Sequence, residues 1–388
     1  MRIFDAGRIM VSKMKWILSL TMVLFASMVL LAASPAAADD GYPKTITDMA
    51  GRVVTIDGPI ERIITTNPDN SRTIIALGDG EKIVGTDEAT IGSCICPKHG
   101  SEEICPSCWE NVCGGGLAAI PQTSTRYEVN YELMVSLEPD VIFETMFWSD
   151  RADDMQNKVG CPVVCVGTDF DFDIVSSQIR LVAEVLDRQD EAEDLIEFID
   201  SEVEMVRSVT LGLDETQKPT VYFAPRGAKL GFYDPKEGRD FTRTVNFYEP
   251  LEVAGGRNVA EDSEGGEINV GIEQIITWDP DYILVACSTP DDKEAVEWIK
   301  TSADLQSIAA VRNGDVHNCF YPYCRGMPID RSLLNMIYMA KMLHPDKFED
   351  LDLEEEGNKI MKAFLGVDGV FTEYADYLVW PREYLDTL

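Results

Sequence analysis

Apolar residues in this chain fall into two rhythms, short unbroken runs and longer stretches of three-and-four spacing, and the two alternate along its first half. Runs at residues 62–66, 82–86, 140–146 and 162–166 are bounded by turn-forming residues, the pattern of strands covered on both faces. Between them, residues 71–77, stopped by Gly78, and residues 150–159 carry helical spacing. Strand and helix in alternation predict a parallel, doubly wound sheet. Ahead of it, residues 44–56 alternate around Met49-Ala-Gly-Arg52 and read as a β-hairpin at the edge of this lobe.

From residue 174 to 211 the strand signal stops. Leu195, Ile199, Val203 and Val206, with Ile196 beside them, form an apolar stripe at helical spacing, and Asp and Glu fill the other faces. A helix over about 190–211 would be roughly 30 Å long, enough to run the height of a lobe. A second α/β lobe then opens with a strand over 220–224 and a helix over 241–253 that ends at Gly255-Gly256. A helix over 293–301, a strand over 315–320 and a helix over 330–343 follow. Ile360, Met361, Phe364 and Leu365 keep helical periodicity in the acidic tail, which reads as a packed terminal helix.

One unit occurs in both halves. Glu132-Leu-Met-Val-Ser-Leu-Glu-Pro-Asp140 is followed by Val-Ile-Phe-Glu, and Glu273-Gln-Ile-Ile-Thr-Trp-Asp-Pro-Asp281 by Tyr-Ile-Leu-Val. Each copy is a short helix opened by Glu, stopped by an acidic-Pro-Asp turn and leading into a buried strand. Proline fixes its own φ and drives the preceding residue out of the helical region, so each helix must end there. A unit repeated once, far apart, predicts two related lobes rather than a solenoid. Gly78 stands much further ahead of Glu132 than Gly255 does ahead of Glu273, so the first lobe carries an insertion.

Charge and targeting narrow the function classes. Arg2, Arg8, Lys13 and Lys15 precede an apolar run from Trp16 to Ala33 and then Ser34-Pro-Ala-Ala-Ala38, a basic, apolar and small-residue series typical of an export signal. Cleavage would leave a mature chain starting near Asp39; an uncleaved anchor is the alternative, because the run is long enough to span a bilayer. No cysteine sits where a lipoprotein would carry one. The formal net charge of −35 repels nucleic acid and anionic lipid, and favours solubility. Catalysis finds little support: there is no phosphate-binding Gly-rich loop with Lys, no Gly-x-Ser-x-Gly elbow and no His-Glu-x-x-His, and the chain has 3 histidines.

The insertion carries Cys94, Cys96, His99, Cys105, Cys108 and Cys113, followed by three glycines. Disulfides are the default for an exported protein, and five cysteines cannot all pair among themselves. The Cys105-x-x-Cys108 pair with two of Cys94, Cys96 and His99 also satisfies the ligand count of four-coordinate zinc. Both chemistries stay open here. Cys161 and Cys165 read as one loop thiol and one buried strand thiol. Cys287, Cys319 and Cys324 fall near strand ends, where a disulfide and ligand contact are both open to them. His317, in a strand, and His344, at a helix end, read as structural.

Glu61-Arg-Ile-Ile64, Ile74-Ile-Ala-Leu-Gly-Asp-Gly-Glu-Lys-Ile-Val-Gly85, Asn130 to Ile142, Leu251-Glu-Val-Ala-Gly-Gly-Arg-Asn-Val259, Val311-Arg-Asn-Gly-Asp-Val-His317 and Leu343-His-Pro-Asp-Lys-Phe348 form an ordered set. In this order and spacing the chain resembles the iron-complex and cobalamin class of ABC-transporter substrate-binding proteins. The resemblance covers nearly everything from Tyr42 to Phe348. It implies two doubly wound, Rossmann-like lobes joined by one long α-helix, with a ligand cleft between them. The expected organisation is a targeting segment over 1–38, an N-terminal lobe over 39–188 with the cysteine-rich insertion at about 90–118, a linker helix over 189–212, a C-terminal lobe over 213–350 and a helical tail over 351–388.

The resemblance further implies a non-enzymatic, extracytoplasmic binding protein that needs no cofactor. Its partners would be a small metal complex, such as an iron chelate, haem-like compound or corrinoid, and a permease dimer with its ATPase. In the family, one exposed Glu on each lobe docks onto permease arginines, which by motif position are Glu132 and Glu273 here. Ligands of open α/β sheets lie beyond the carboxyl ends of strands, which directs attention to Asn67, Trp148, Arg226, Tyr233, Tyr321, Tyr323 and Arg325 as ligand contacts. The aromatics suit a large planar or chelated ligand and the arginines its carboxylates or phosphates. The bland reading is that the aromatics plug the lobe interface and the arginines pair with local acids. A functional alternative is an exported metal-binding or redox protein that uses the cysteine insertion on this scaffold.

Overall fold

The computed structural model describes residues 41–91, 120–125, 127–227, 233–234, 239–287, 293–323 and 326–372. The expected targeting segment lies outside these residues, as do Cys94, Cys96, His99, Cys105, Cys108, Cys113, Cys324 and Arg325.

β1 (Lys44–Thr47) and β2 (Val53–Ile56) form the small two-stranded sheet expected at the start. The first large sheet contains β3 (Ile63–Thr65), β4 (Ile83–Asp87), β5 (Gln122–Ser124), β6 (Val141–Thr145) and β7 (Val163–Val166). All its pairings are parallel, in the order β5-β4-β3-β6-β7. The helices interleaved with it are α1 (Pro68–Ala76), α2 (Tyr131–Ser136) and α3 (Ala152–Val159). Local chemistry sets their ends. The Asn67 side chain accepts from Asp69 N at 2.7 Å and Asn70 N at 3.2 Å, with Pro68 in the first turn, so α1 begins earlier than residue 71. Asn130 caps α2 through Leu133 N, and Gly160, at φ 85°, ends α3 in the left-handed conformation.

After β7 the chain runs through α4 (Phe172–Leu186) and α5 (Gln189–Thr210) before it enters the second sheet. α5 buries Leu195, Ile196, Ile199, Val203 and Val206, the stripe its spacing predicts. It is followed by β8 (Thr220–Ala224), the short antiparallel pair β9 (Tyr233–Asp234) and β10 (Arg239–Asp240), β11 (Arg243–Val245), α6 (Glu249–Val253), β12 (Arg257–Asn258) and β13 (Glu267–Asn269). Then come α7 (Ile272–Trp278), β14 (Tyr282–Cys287), α8 (Lys293–Thr301), α9 (Ala309–Asn313), β15 (Val316–Phe320), α10 (Ile329–Leu343) and α11 (Leu353–Leu365). The second large sheet is parallel, in the order β12-β8-β14-β15. Each sheet packs its own apolar cluster, Ile64, Ile142, Met155 and Val163 in the first, Tyr222, Ile283, Val285 and Ile299 in the second.

The expected single helix over 241–253 is corrected. Arg243–Val245 is a strand paired antiparallel with Glu267–Asn269, and only Glu249–Val253 is helical. Pro250 lacks an amide hydrogen and so is tolerated only in the first turn, which forbids a helix running through it. Thr244, fully buried, instead donates its hydroxyl to Phe223 O at 2.7 Å.

The repeated unit is symmetric in detail. The residues before the two prolines, Glu138 and Asp279, both adopt positive φ, 47° and 45°. The aspartates after them both stitch a strand to its neighbour. Asp140 Oδ2 accepts from Glu61 N and Arg62 N at 2.9 and 2.8 Å, just ahead of β3, while Asp281 Oδ2 accepts from Thr220 N and Oγ1 at 2.9 and 2.7 Å, at the start of β8.

Candidate ligand cleft

In the first sheet the chain builds β3, β4 and β5 outward, then returns to place β6 on the other side of β3. The second sheet does the same, with β8 followed outward by β12 and then flanked by β14. Strand order therefore reverses between β3 and β6 and between β8 and β14, and the crevice beyond such a switch point is where open α/β sheets bind ligands.

At the first switch point Glu144, on β6, is fully buried. Its Oε1 accepts from Thr66 Oγ1 at 2.6 Å and Thr145 N at 2.8 Å, and its Oε2 from Arg151 Nε at 2.8 Å. Burial pushes the Glu144 carboxyl up, and the hydrogen bond and charge of Arg151 oppose that shift. The Arg151 guanidinium also lies 5.5 Å from the Trp148 ring, which meets Tyr127 edge-on at 6.5 Å. Phe147 beside it is 63 % exposed, a large apolar surface facing solvent.

The second switch point carries the same three chemical parts. Arg226, just past β8, donates Nη2 to Glu267 Oε2 at 2.6 Å and Nε to Oε1 at 3.1 Å, and its guanidinium sits 3.9 Å from the Tyr323 ring. Burial disfavours the Arg226 charge, but the hydrogen bond to Glu267 together with the charges of Tyr321, Glu267 and Tyr323 outweighs it, and the group is held more firmly protonated. Arg243 adds a second ion pair to Glu267 at 3.1 Å. Tyr323 meets Tyr321 at 6.2 Å and Phe170, from the loop after β7, at 5.4 Å. Gly227, at φ 69°, lies close against the neighbouring strand: a Cβ there would lie 2.5 Å from Ala286 O on β14. Each lobe thus presents a carboxylate, a guanidinium and an aromatic ring at its switch point.

A model of the family described as Periplasmic binding protein matches residues 63–319. The chain belongs to that family. Among its relatives is the molybdate-binding protein MolA of Haemophilus influenzae, 24 % identical over 349 residues, covering 83 % of this chain and 90 % of that protein. The structure of MolA bound to molybdate, reported as the cognate periplasmic binding protein of an ABC transporter, superposes with TM-score 0.64 at 22 % identity, over 84 % of this chain and 98 % of that one. A cobalamin-binding protein of Halobacterium salinarum is 22 % identical over 280 residues, covering 71 % of this chain and 67 % of that protein. The periplasmic binding proteins bind solutes outside the cytoplasm and are not enzymes, in keeping with the absence of catalytic motifs. This chain is accordingly a periplasmic solute-binding protein.

Within this periplasmic binding protein the predicted contact residues part company. Trp148 stands at the first switch point, and Arg226, Tyr321 and Tyr323 at the second. Asn67 spends its side-chain oxygen on capping α1. Tyr233 lies in β9, with its side chain outside the described residues, and the same holds for the side chain of Cys287 in β14. Cys319, on β15, is fully buried. Cys161 and Cys165 are buried free thiols, and burial pushes each up to about 12, which disfavours the thiolate. Among the described residues no group of three or more His, Cys, Asp or Glu is arranged to hold a metal ion. His344 is pinned against Gly255 O at 3.1 Å, and His317 is held near neutral chemistry by burial, its pKa lowered to about 4.

Glu132 and Glu273 are both exposed in the first turns of α2 and α7, with no ion pair to either among the described residues. Sequence reasoning passed over Glu144, Arg151, Phe170 and Glu267. Glu144 had a readable signal, a charged residue closing the apolar run Val-Ile-Phe in a strand buried on both faces. Glu267 had none, because it reaches Arg226 through a strand pairing 41 residues away in sequence.

Proposed function

We propose that this protein captures an anionic metal chelate, an iron complex, haem-like compound or corrinoid, in the crevice between the two switch points and hands it to a permease dimer with its ATPase. The observation that supports the reading is the pairing of an aromatic ring with a guanidinium at both points, Trp148 with Arg151 and Tyr323 with Arg226. Rings offer flat apolar area to a macrocycle or chelate, and arginines match its peripheral carboxylates or phosphates. A small oxyanion would offer these rings no flat apolar surface to cover. The MolA relationship makes a tetrahedral oxyanion the second reading.

Tryptophan fluorescence titrations with a ferric siderophore, haemin, cyanocobalamin and molybdate separate the two. Saturable quenching by a chelate, weakened at least tenfold in Trp148→Ala and Tyr323→Ala, about 1.4 kcal/mol or more, supports the first reading. Binding of molybdate alone overturns it. Delivery would run through Glu132 and Glu273, one acid per lobe for the two equivalent sites of a permease dimer. The double reversal Glu132→Lys with Glu273→Lys should abolish uptake while leaving ligand affinity intact; a parallel loss of affinity would remove the docking role.

A further inference from the structure

Beneath the switch points, the Asp69 carboxylate joins the two lobes. Asp69 lies in the first turn of α1, and Thr168 follows β7, so both belong to the first lobe. Met327 belongs to the loop between β15 and α10 of the second. The Met327 amide donates to Asp69 Oδ2 at 2.6 Å and to Thr168 Oγ1 at 2.8 Å, and the Thr168 hydroxyl donates to the same Asp69 oxygen at 2.6 Å. The approach is so close that a Cβ on Gly326 would collide with the Asp69 carboxylate, so only glycine lets this backbone reach it. One helical turn further along α1, Arg72, 2 % exposed, pairs with Asp330 in the first turn of α10, 1 % exposed, at 3.5 Å. Phe170, two residues after Thr168, sets its ring against Tyr248 and Tyr323 at 4.9 and 5.4 Å.

We infer that the Asp69 carboxylate is a latch that fixes the orientation of the lobes, with Gly326 as the notch that admits it. A carboxyl group is tolerated in a protein interior only where hydrogen bonds replace its water. Rotation of one lobe against the other would strip the Met327 amide from Asp69 and draw Asp330 from Arg72 together, leaving charge buried without partners. A contact of this kind is lost as a unit rather than stretched. An apolar interface of the same extent, in contrast, has no directional preference and would permit sliding. The loop that carries the notch continues from Tyr321 and Tyr323, so the latch also sets where the second switch point stands relative to the first.

The test is a double-mutant cycle with an orientation readout. Donor and acceptor fluorophores are placed by bioorthogonal chemistry at Asn157 on α3 and Glu297 on α8, both exposed, which avoids the 10 native cysteines. Single-molecule transfer then reports the distance between lobes, and calorimetry reports the melting temperature. Asp69→Ala and Gly326→Ala should each broaden the distance distribution and lower the melting temperature. In Asp69→Ala with Gly326→Ala, the added methyl meets no carboxylate, so the loss should be no greater than in Asp69→Ala alone. Asp69→Asn, which keeps an acceptor for the Met327 amide, should retain a narrow distribution. Should Asp69→Ala fail to fold, Asp69→Ser replaces it in the same cycle. Unchanged distance distributions in both single variants, or strictly additive losses in the double variant, overturn the latch.

Discussion

Glu202 on α5 is 1 % exposed yet faces two charges, accepting from Lys359 Nζ at 2.5 Å while Glu356 bonds the same ammonium at 2.6 Å. Burial first, offset in part by Lys359 and reinforced by Glu356, pushes its carboxyl from 4.5 up to about 7. Between those values the folded state holds the proton that the unfolded state has released, so this group's contribution to stability is lost as pH rises through the window. His317 works the other way. Burial lowers it from 6.5 to about 4, so its contribution is full above 6.5 and is lost as pH falls. The two slopes oppose each other where they overlap, and a wild-type pH profile alone would hide both. Glu202→Gln removes one: urea unfolding should find the variant gaining roughly 2–3 kcal/mol relative to wild type at pH 8 compared with pH 5. An equal difference at the two pH values would refute it. None of this was visible in the sequence, where Glu202 is one acid among many on a charged helix and its partner is 157 residues away.

The repeated helix-turn-strand unit was the most legible element, because proline punctuates it and its strand is unmistakably apolar. What spacing could not convey is how alike the two copies are in backbone and how they differ in side chain. Glu138 and Asp279 share a left-handed conformation that costs an L-residue about 1 kcal/mol. The Glu138 side chain makes no hydrogen bond among the described residues, whereas Asp279 Oδ1 accepts from Ala309 N at 2.6 Å and so starts α9. Glu138→Gly should therefore stabilise by up to about 1 kcal/mol, and Asp279→Gly should be neutral or destabilising, as chemical denaturation of both variants would show. Equal stabilisation would mean the Asp279 contact contributes nothing. The stretch over 241–253 was misread for the opposite reason. Its strand is three residues long and paired with another three-residue strand further along the chain, below the length at which alternation can be recognised.

At the scale of the molecule, two α/β lobes and the long α5 were readable because each rests on long periodic segments. The lobe contacts were not, since Asp69, Phe170 and Met327 meet through tertiary approach alone. The net charge of −35 has a consequence of its own. Self-repulsion disfavours the compact state, and screening shortens from about 10 Å at 0.1 M salt to about 3 Å at 1 M. The melting temperature should climb steadily with sodium chloride over that range; a flat or falling curve in calorimetry would show that the acidic surface is locally compensated.

The last helix draws the chain back to where it began. α11 packs against α1 as well as α10, burying Leu353, Ile360, Met361, Phe364 and Leu365. After the second sheet is complete the chain therefore returns to α1, beside the first sheet, through α11. A ribosome or an export channel delivers residues in order, so the first lobe emerges with the α11-facing side of α1 bare and must wait for nearly the whole remaining chain to cover it. Assembly of this protein cannot finish one half at a time: the first lobe made is the last to be completed.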